Sequence, residues 1–165
     1  MMGCGKTTVG VALARRLALP FVDTDRQIEK DYGSIREIFA RDGEARFREI
    51  ETEIAAKLAL QEGECVISVG GGFPLRRQNV ELMKKRGVLV WLRADQQTLL
   101  GRLLGDKTRP LLQGDALEAK LEKLLADRNP IYCAESDFAV DVADKTVEEI
   151  VEEIVEKLGS EGAGA

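Results

Sequence analysis

Gly3-Cys4-Gly5-Lys6-Thr7-Thr8 stands directly before a run whose apolar residues, Val9, Ala12, Leu13 and Leu17, recur at helical spacing. A glycine-rich turn feeding a helix N-terminus offers backbone N–H groups and a favourable dipole to an anion. Its order matches the second half of the Walker A loop, G-x-x-x-x-G-K-[ST]. In that role Lys6 reaches the β- and γ-phosphates of a nucleotide and the Thr7 hydroxyl ligates Mg2+, while Gly3, Cys4, Gly5 and Thr8 complete the cradle. The plain alternative is a glycine turn with an incidental lysine; the helix behind it and the acidic residues downstream favour phosphate. The first glycine of the pattern would fall one residue before Met1, and no apolar strand precedes the loop. The expectation is therefore an internal methionine taken as the start, with the strand that normally leads into such a loop absent.

Further groups suit an acceptor. Asp23-Thr24-Asp25 follows the short apolar run Phe21-Val22, at a strand end where open α/β sheets present their functional groups. If the backbone stays extended there, the two carboxylates point the same way; in a turn they diverge. They can divide the work, Asp23 facing Mg2+ and the attacking hydroxyl, Asp25 holding neighbouring hydroxyls. Gly70-Gly71-Gly72 follows Cys65–Val69 and lets a ligand approach bare backbone. Arg48 has Glu51 one helical step away to orient it. Arg109 heads Arg109-Pro110-Leu111-Leu112, and Arg128 precedes Asn129-Pro130. Singly, each arginine reads as surface charge.

The elements that must carry these groups alternate. Cys65–Val69 and Val88–Leu92 are nearly continuous apolar runs, suited to strands buried on both faces of a parallel sheet, and Phe138–Val142 is a further strand. Helices are predicted over Lys6–Leu17, Ile35–Ala40 (N-capped by Ser34, with Glu37 completing a capping box), after Gly43, and around Glu81–Arg86. Others are predicted over Gln96–Leu104, Ala116–Leu125 and Val147–Leu158. This is an α/β chain with a parallel sheet. One domain over 1–158 is expected, with a substrate-binding insertion at 33–60, a lid at 105–125 and a disordered tail at 159–165.

The bulk numbers exclude several classes. The formal charge of −5 argues against a nucleic-acid binder. No stretch approaches the roughly 20 apolar residues that span a bilayer, and no signal peptide is visible. Cys4, Cys65 and Cys133 fit neither a disulfide framework nor a zinc pattern and read as free thiols in a reducing, cytoplasmic setting. Without histidine, Ser-His and Cys-His chemistry is excluded and proton handling falls to carboxylates.

Taken in order, GCGKTT, DTD, FREIE, GGG, TRPLL and RNPIY make the chain resemble shikimate kinase, from residue 1 to about Leu158. The resemblance implies a three-layer P-loop NTPase-type fold with strand order 2-3-1-4-5, the first strand being the one missing. It implies transfer of the γ-phosphoryl group of ATP, with Mg2+, to the 3-hydroxyl of shikimate, in aromatic amino-acid biosynthesis. It gives Asp25, Arg48, Gly71 and Arg128 to shikimate, with Gly70 and Gly72 flanking, and the arginines gripping the carboxylate. Asp23 acts near Mg2+ and the reacting hydroxyl; Arg109 comes from the lid onto the phosphates; Arg102 lies against adenine and Lys145 near the nucleotide. A monomer is expected. The rival readings are a kinase of the same fold acting on another metabolite, such as gluconate, and a nucleotide-binding protein without transfer activity.

Overall fold

The structure is a computed structural model that describes residues 1–105 and 115–162. In chain order it has α1 (Lys6–Leu17), β1 (Phe21–Asp23), α2 (Thr24–Tyr32), α3 (Ile35–Ala59), β2 (Val66–Ser68), a 3-10 turn (Phe73–Leu75) and α4 (Arg77–Lys84). These are followed by β3 (Val90–Arg93), α5 (Gln96–Gly105), α6 (Asp115–Glu135), β4 (Phe138–Asp141) and α7 (Val147–Gly162).

Two compact units result. The first comprises Thr7–Val88. Here β1 and β2 pair in parallel, Phe21 opposite Val66 and Asp23 opposite Ser68. The helices supply the core through Val9, Leu13, Ile28, Ile38, Phe47, Ile50, Ile54, Phe73 and Val80. Ser34 caps α3 as expected, its hydroxyl accepting the Glu37 N–H at 3.2 Å. The break expected at Gly43 is a kink inside α3, where φ is 80°, a value that glycine adopts without steric penalty.

The second unit comprises Met1–Lys6 and Leu89–Ala165. Its strands β3 and β4 are parallel, Val90 opposite Phe138 and Arg93 opposite Asp141. Leu92, Leu99, Leu121, Val140, Val142, Ile150 and Ile154 form its core.

The class is α/β with parallel strands, as predicted, but the strands lie in two separate two-stranded sheets, β1-β2 and β3-β4. These correspond to the 2-3 and 4-5 neighbours of the expected order. Among the described residues each strand pairs along one edge only, and Val66, Ile67, Val90 and Trp91, expected to be buried on both faces, are only half-buried.

Of the two conformations left open for Asp23-Thr24-Asp25, the chain turns: Asp23 ends β1 as the N-cap of α2, which starts at Thr24, its carboxylate accepting from the Asp25 and Arg26 N–H groups. One other expectation is corrected. Helix α6 does not stop near Leu125 but runs through Pro130 to Glu135. Proline removes one helical donor, and buried Leu121 and Tyr132 anchor the helix on either side of it.

Candidate active site

The loop before α1 turns through Gly3 (φ 76°) and Gly5 (φ 89°), left-handed values that explain glycine at both places. A side chain at Gly3 would also meet Leu103 at 3.3 Å. Helix α1 begins at Lys6 and has no acidic residue of its own in its first turn, so none of its own carboxylates competes with an added anion for the positive end of its dipole. Lys6 Nζ donates to the Met1 carbonyl at 2.6 Å, and the buried Cys4 thiol donates to the same oxygen at 3.0 Å. Arg128 lies in α6, half-buried.

On the other side of α6 in the sequence, Arg102 Nη2 donates to the Val142 carbonyl at 3.0 Å, tying α5 to the segment between β4 and α7. Lys145, in that segment, is held by Glu153 at 2.6 Å. The residue expected against adenine and the one expected near the nucleotide, Arg102 and Lys145, therefore both bond to one region around the loop between β4 and α7, whose Asp144 has φ 54°. Arg109 lies outside the described residues.

Within the other unit, Thr7 and Asp23 meet: Thr7 Oγ1 donates to Asp23 Oδ2 at 2.9 Å. One hydroxyl and one carboxylate in contact suit Mg2+, which keeps several waters and shares the rest of its shell with phosphates. The donor set fits that ion, since both atoms are hard oxygens.

The acceptor residues cluster more tightly. Arg48 on α3 donates from Nη1 to Glu51 Oε2 at 2.6 Å and from Nη2 to Glu44 Oε1 at 2.9 Å; its side chain is 16% exposed. A Cβ built on Gly72 would run into the Arg48 guanidinium, and one on Gly70 would lie 2.9 Å from Asp25 Oδ1 and 3.0 Å from Glu51 Oε1. Asp25, Arg48 and Glu51 therefore press directly on the three-glycine loop, and only bare backbone fits between them.

Glu51 is 1% exposed, and its Oε1 has no hydrogen-bond partner among the described residues. Burial pushes its pKa up, Arg48 opposes this, and the Asp25 charge adds to the rise. Arg48 moves the other way in energetic sense: burial disfavours its charge, but Glu51 and Glu44 outweigh that and hold its pKa up. The pair is thus secure on the arginine side and costly on the glutamate side, where an orphaned oxygen faces the loop.

The sequence pattern marked Glu51 only as an orienter of Arg48, and passed over Glu44, Thr24 and Asn79. Thr24 Oγ1 accepts the Gly70 N–H at 3.3 Å, and Asn79 Nδ2 donates to the Phe73 carbonyl at 3.1 Å. Glu44 carried a usable signal, four residues before Arg48 on the same helix; Thr24 carried none, because its partner lies 46 residues away, and Asn79, six residues from Phe73, matches no helix or capping spacing.

In the first unit Thr7 and Asp23 offer a hard-oxygen pair for a divalent cation, and Asp25, Arg48 and Glu51 set a guanidinium and carboxylates beside the glycine loop; in the second unit the turn from Gly3 to Lys6 has the form of a phosphate cradle. The guanidinium suits an acid group, the carboxylates hydroxyl groups. No group of three or more acidic or thiol side chains that could hold a metal alone occurs among the described residues. Nor, among them, is any helix long and apolar enough to cross a membrane.

Comparison with known proteins agrees with this reading. The family model for shikimate kinase matches residues 2–159. A shikimate kinase of Cereibacter sphaeroides is 46% identical over 151 residues, covering 91% of this chain and 75% of the relative. The structure of shikimate kinase from Acinetobacter baumannii in complex with shikimate superposes with a TM-score of 0.87 at 35% identity, covering 97% of this chain and 89% of that one. A gluconokinase from Sinorhizobium meliloti reaches a TM-score of only 0.58 at 20% identity, over 97% and 88% of the two chains. That level of likeness concerns the fold alone.

Proposed function

The chain belongs to the shikimate kinase family, and from that premise we propose that it phosphorylates the 3-hydroxyl of shikimate with ATP, giving shikimate 3-phosphate and ADP. The observation that carries this reading is the convergence of Asp25, Arg48 and Glu51 on the bare backbone of Gly70 and Gly72. A ring bearing one carboxylate and several hydroxyls needs that mixture of a fork-shaped donor and carboxylate acceptors. Gluconate carries the same two kinds of group, so shikimate is preferred over it on membership of the shikimate kinase family.

The residues are assigned as follows. Arg48 and Arg128 bind the substrate carboxylate, Asp25 its hydroxyls, and Gly70, Gly71 and Gly72 its ring edge. Gly3, Cys4, Gly5, Lys6, Thr7 and Thr8 hold the phosphates, and Arg102 and Lys145 the nucleotide's other end. Arg48 is already held by Glu51 and by the more exposed Glu44, so a substrate carboxylate would take the place of Glu44 while Glu51 stays.

In the transfer, the substrate hydroxyl oxygen bonds to the γ-phosphorus as the bond to the bridging oxygen breaks and its electron pair leaves with ADP. Asp23 orients that hydroxyl and accepts its proton, and a loose transition state asks for little proton transfer before the new bond forms. Lys6 and Arg109 stabilise the phosphoryl oxygens in transit. Thr7 and Asp23 would hold Mg2+, directly or through water, and the ion supplies charge neutralisation of the phosphates.

We further read residues 1–158 as a single kinase domain working in the cytoplasm as a monomer, with 33–60 carrying acceptor contacts. The deciding experiment is coupled detection of ADP with purified protein, ATP and Mg2+ against a panel of shikimate, quinate and gluconate. Turnover confined to shikimate is expected; preference for gluconate, or no transfer to any of them, overturns the assignment.

A further inference from the structure

The three-glycine loop is fastened at both ends by buried polar side chains outside the ligand set assigned above. At its start Thr24, 1% exposed, accepts the Gly70 N–H across 46 positions of sequence. Just past its end Asn79, fully buried, donates to the Phe73 carbonyl. Between these points the Phe73 N–H donates to the Gly70 carbonyl at 3.0 Å and the Leu75 N–H to the Gly72 carbonyl at 3.1 Å. The turn is thus closed on itself and tied to α2 on one side and α4 on the other.

Folding alone does not explain Asn79. Its Oδ1 is buried with no hydrogen-bond partner among the described residues, and an amide satisfied on one side only is a poor choice for a core site that leucine could fill. Glycine backbone, in turn, has the most conformational freedom to lose. The tolerances here are small, because Gly70 and Gly72 sit at contact distance from Asp25, Glu51 and Arg48.

We propose that Thr24 and Asn79 are positioning residues for the acceptor substrate, fixing the backbone of Gly71 and Gly72 against Asp25 and Arg48. This rests on reading Gly70–Gly72 as the acceptor loop. Neither side chain is among the residues assigned above to the phosphates or to the transferring group, so the effect belongs to acceptor binding.

The test compares wild type with Thr24→Val, Thr24→Ser and Asn79→Leu, with shikimate and ATP varied separately, well below every melting temperature. Loss of either tether should raise KM for shikimate roughly five- to tenfold, as expected for one hydrogen bond, with KM for ATP unchanged and kcat within about twofold. Thr24→Ser keeps the acceptor oxygen and should return most of the loss. Amide hydrogen exchange in the free protein provides a readout independent of turnover: Thr24→Val should speed exchange at Gly70 and its neighbours. Wild-type exchange at Gly70, or kinetics in which both substrates' KM values shift together, overturns the inference. Wild-type protein that fails to phosphorylate shikimate overturns instead the function proposed above, and the exchange result then still decides whether the tethers hold the loop.

Discussion

The Thr7 hydroxyl donates to Asp23 Oδ2 at 2.9 Å, while the other oxygen of the same carboxylate caps α2 by accepting the Asp25 and Arg26 N–H groups. One side chain therefore joins Thr7, in the first turn of α1, to the helix that carries Asp25. Its two oxygens have different duties: Oδ1 is structural, and Oδ2 faces the hydroxyl that would share a cation with it.

That division makes Asp23 separable by mutation. Asp23→Asn keeps an oxygen for the cap but loses the charge, whereas Asp23→Ala loses both. We expect kcat to fall about a hundredfold or more in each, with a stability loss of about 1 kcal/mol confined to Asp23→Ala. Thermal melts beside coupled ADP assays check this; equal destabilisation of the two variants would remove the capping role.

Charge in transit is a separate matter. Lys6→Met or Arg109→Ala should lower kcat more than it weakens shikimate binding, with about 3 kcal/mol of transition-state stabilisation lost. Shikimate affinity measured by calorimetry beside turnover distinguishes the two effects, and near-normal turnover in either variant strikes it from the catalytic group.

Acceptor recognition should fail selectively. Arg48→Ala leaves Glu51 buried without its partner, and Arg128→Ala leaves the substrate carboxylate under-paired. Each should cost roughly 2 kcal/mol in shikimate binding while ATP affinity holds. Lysine at either position should recover only part, lacking the planar fork. Loss of ATP binding to the same extent would refute the assignment.

Gly72→Ala tests the steric side of the same site. Its Cβ would displace the Arg48 guanidinium, so KM for shikimate should rise about tenfold or more, the loss of one charged hydrogen bond, with the fold retained because Gly72 is not in a left-handed conformation. Near-normal KM would mean that Arg48 moves aside without consequence.

Glu51 gives a pH signature. Its folded pKa is raised above the ordinary 4.5, chiefly by burial, so folding takes up a proton there. The stability it contributes is complete below about pH 4.5 and is lost as pH rises through the raised value. Glu51→Gln cannot titrate. The melting temperature of wild type relative to the variant should therefore be highest at acid pH and decline as pH rises; a difference that grows with pH would show that the Arg48 charge outweighs burial.

Much of this was legible in the sequence because the signals are local. Gly3 and Gly5 before a helix, Ser34 before Glu37, and the spacing of Ile150, Val151 and Ile154 each report on neighbours within a few residues, where backbone sterics and periodicity act directly. The order of motifs from GCGKTT to RNPIY was enough to place the family. Tertiary structure decided what depends on distant partners. Arg41, Arg46 and Arg48 share one helix and one residue type, yet only Arg48 points inward to a buried glutamate; the other two pair on the surface. The continuation of α6 through Pro130 depends on buried anchors rather than propensity. Thr24 became visible only when Gly70 arrived beside it, because a hydrogen bond spanning 46 residues leaves no trace in a local pattern: its energy is realised only after burial has removed competing water.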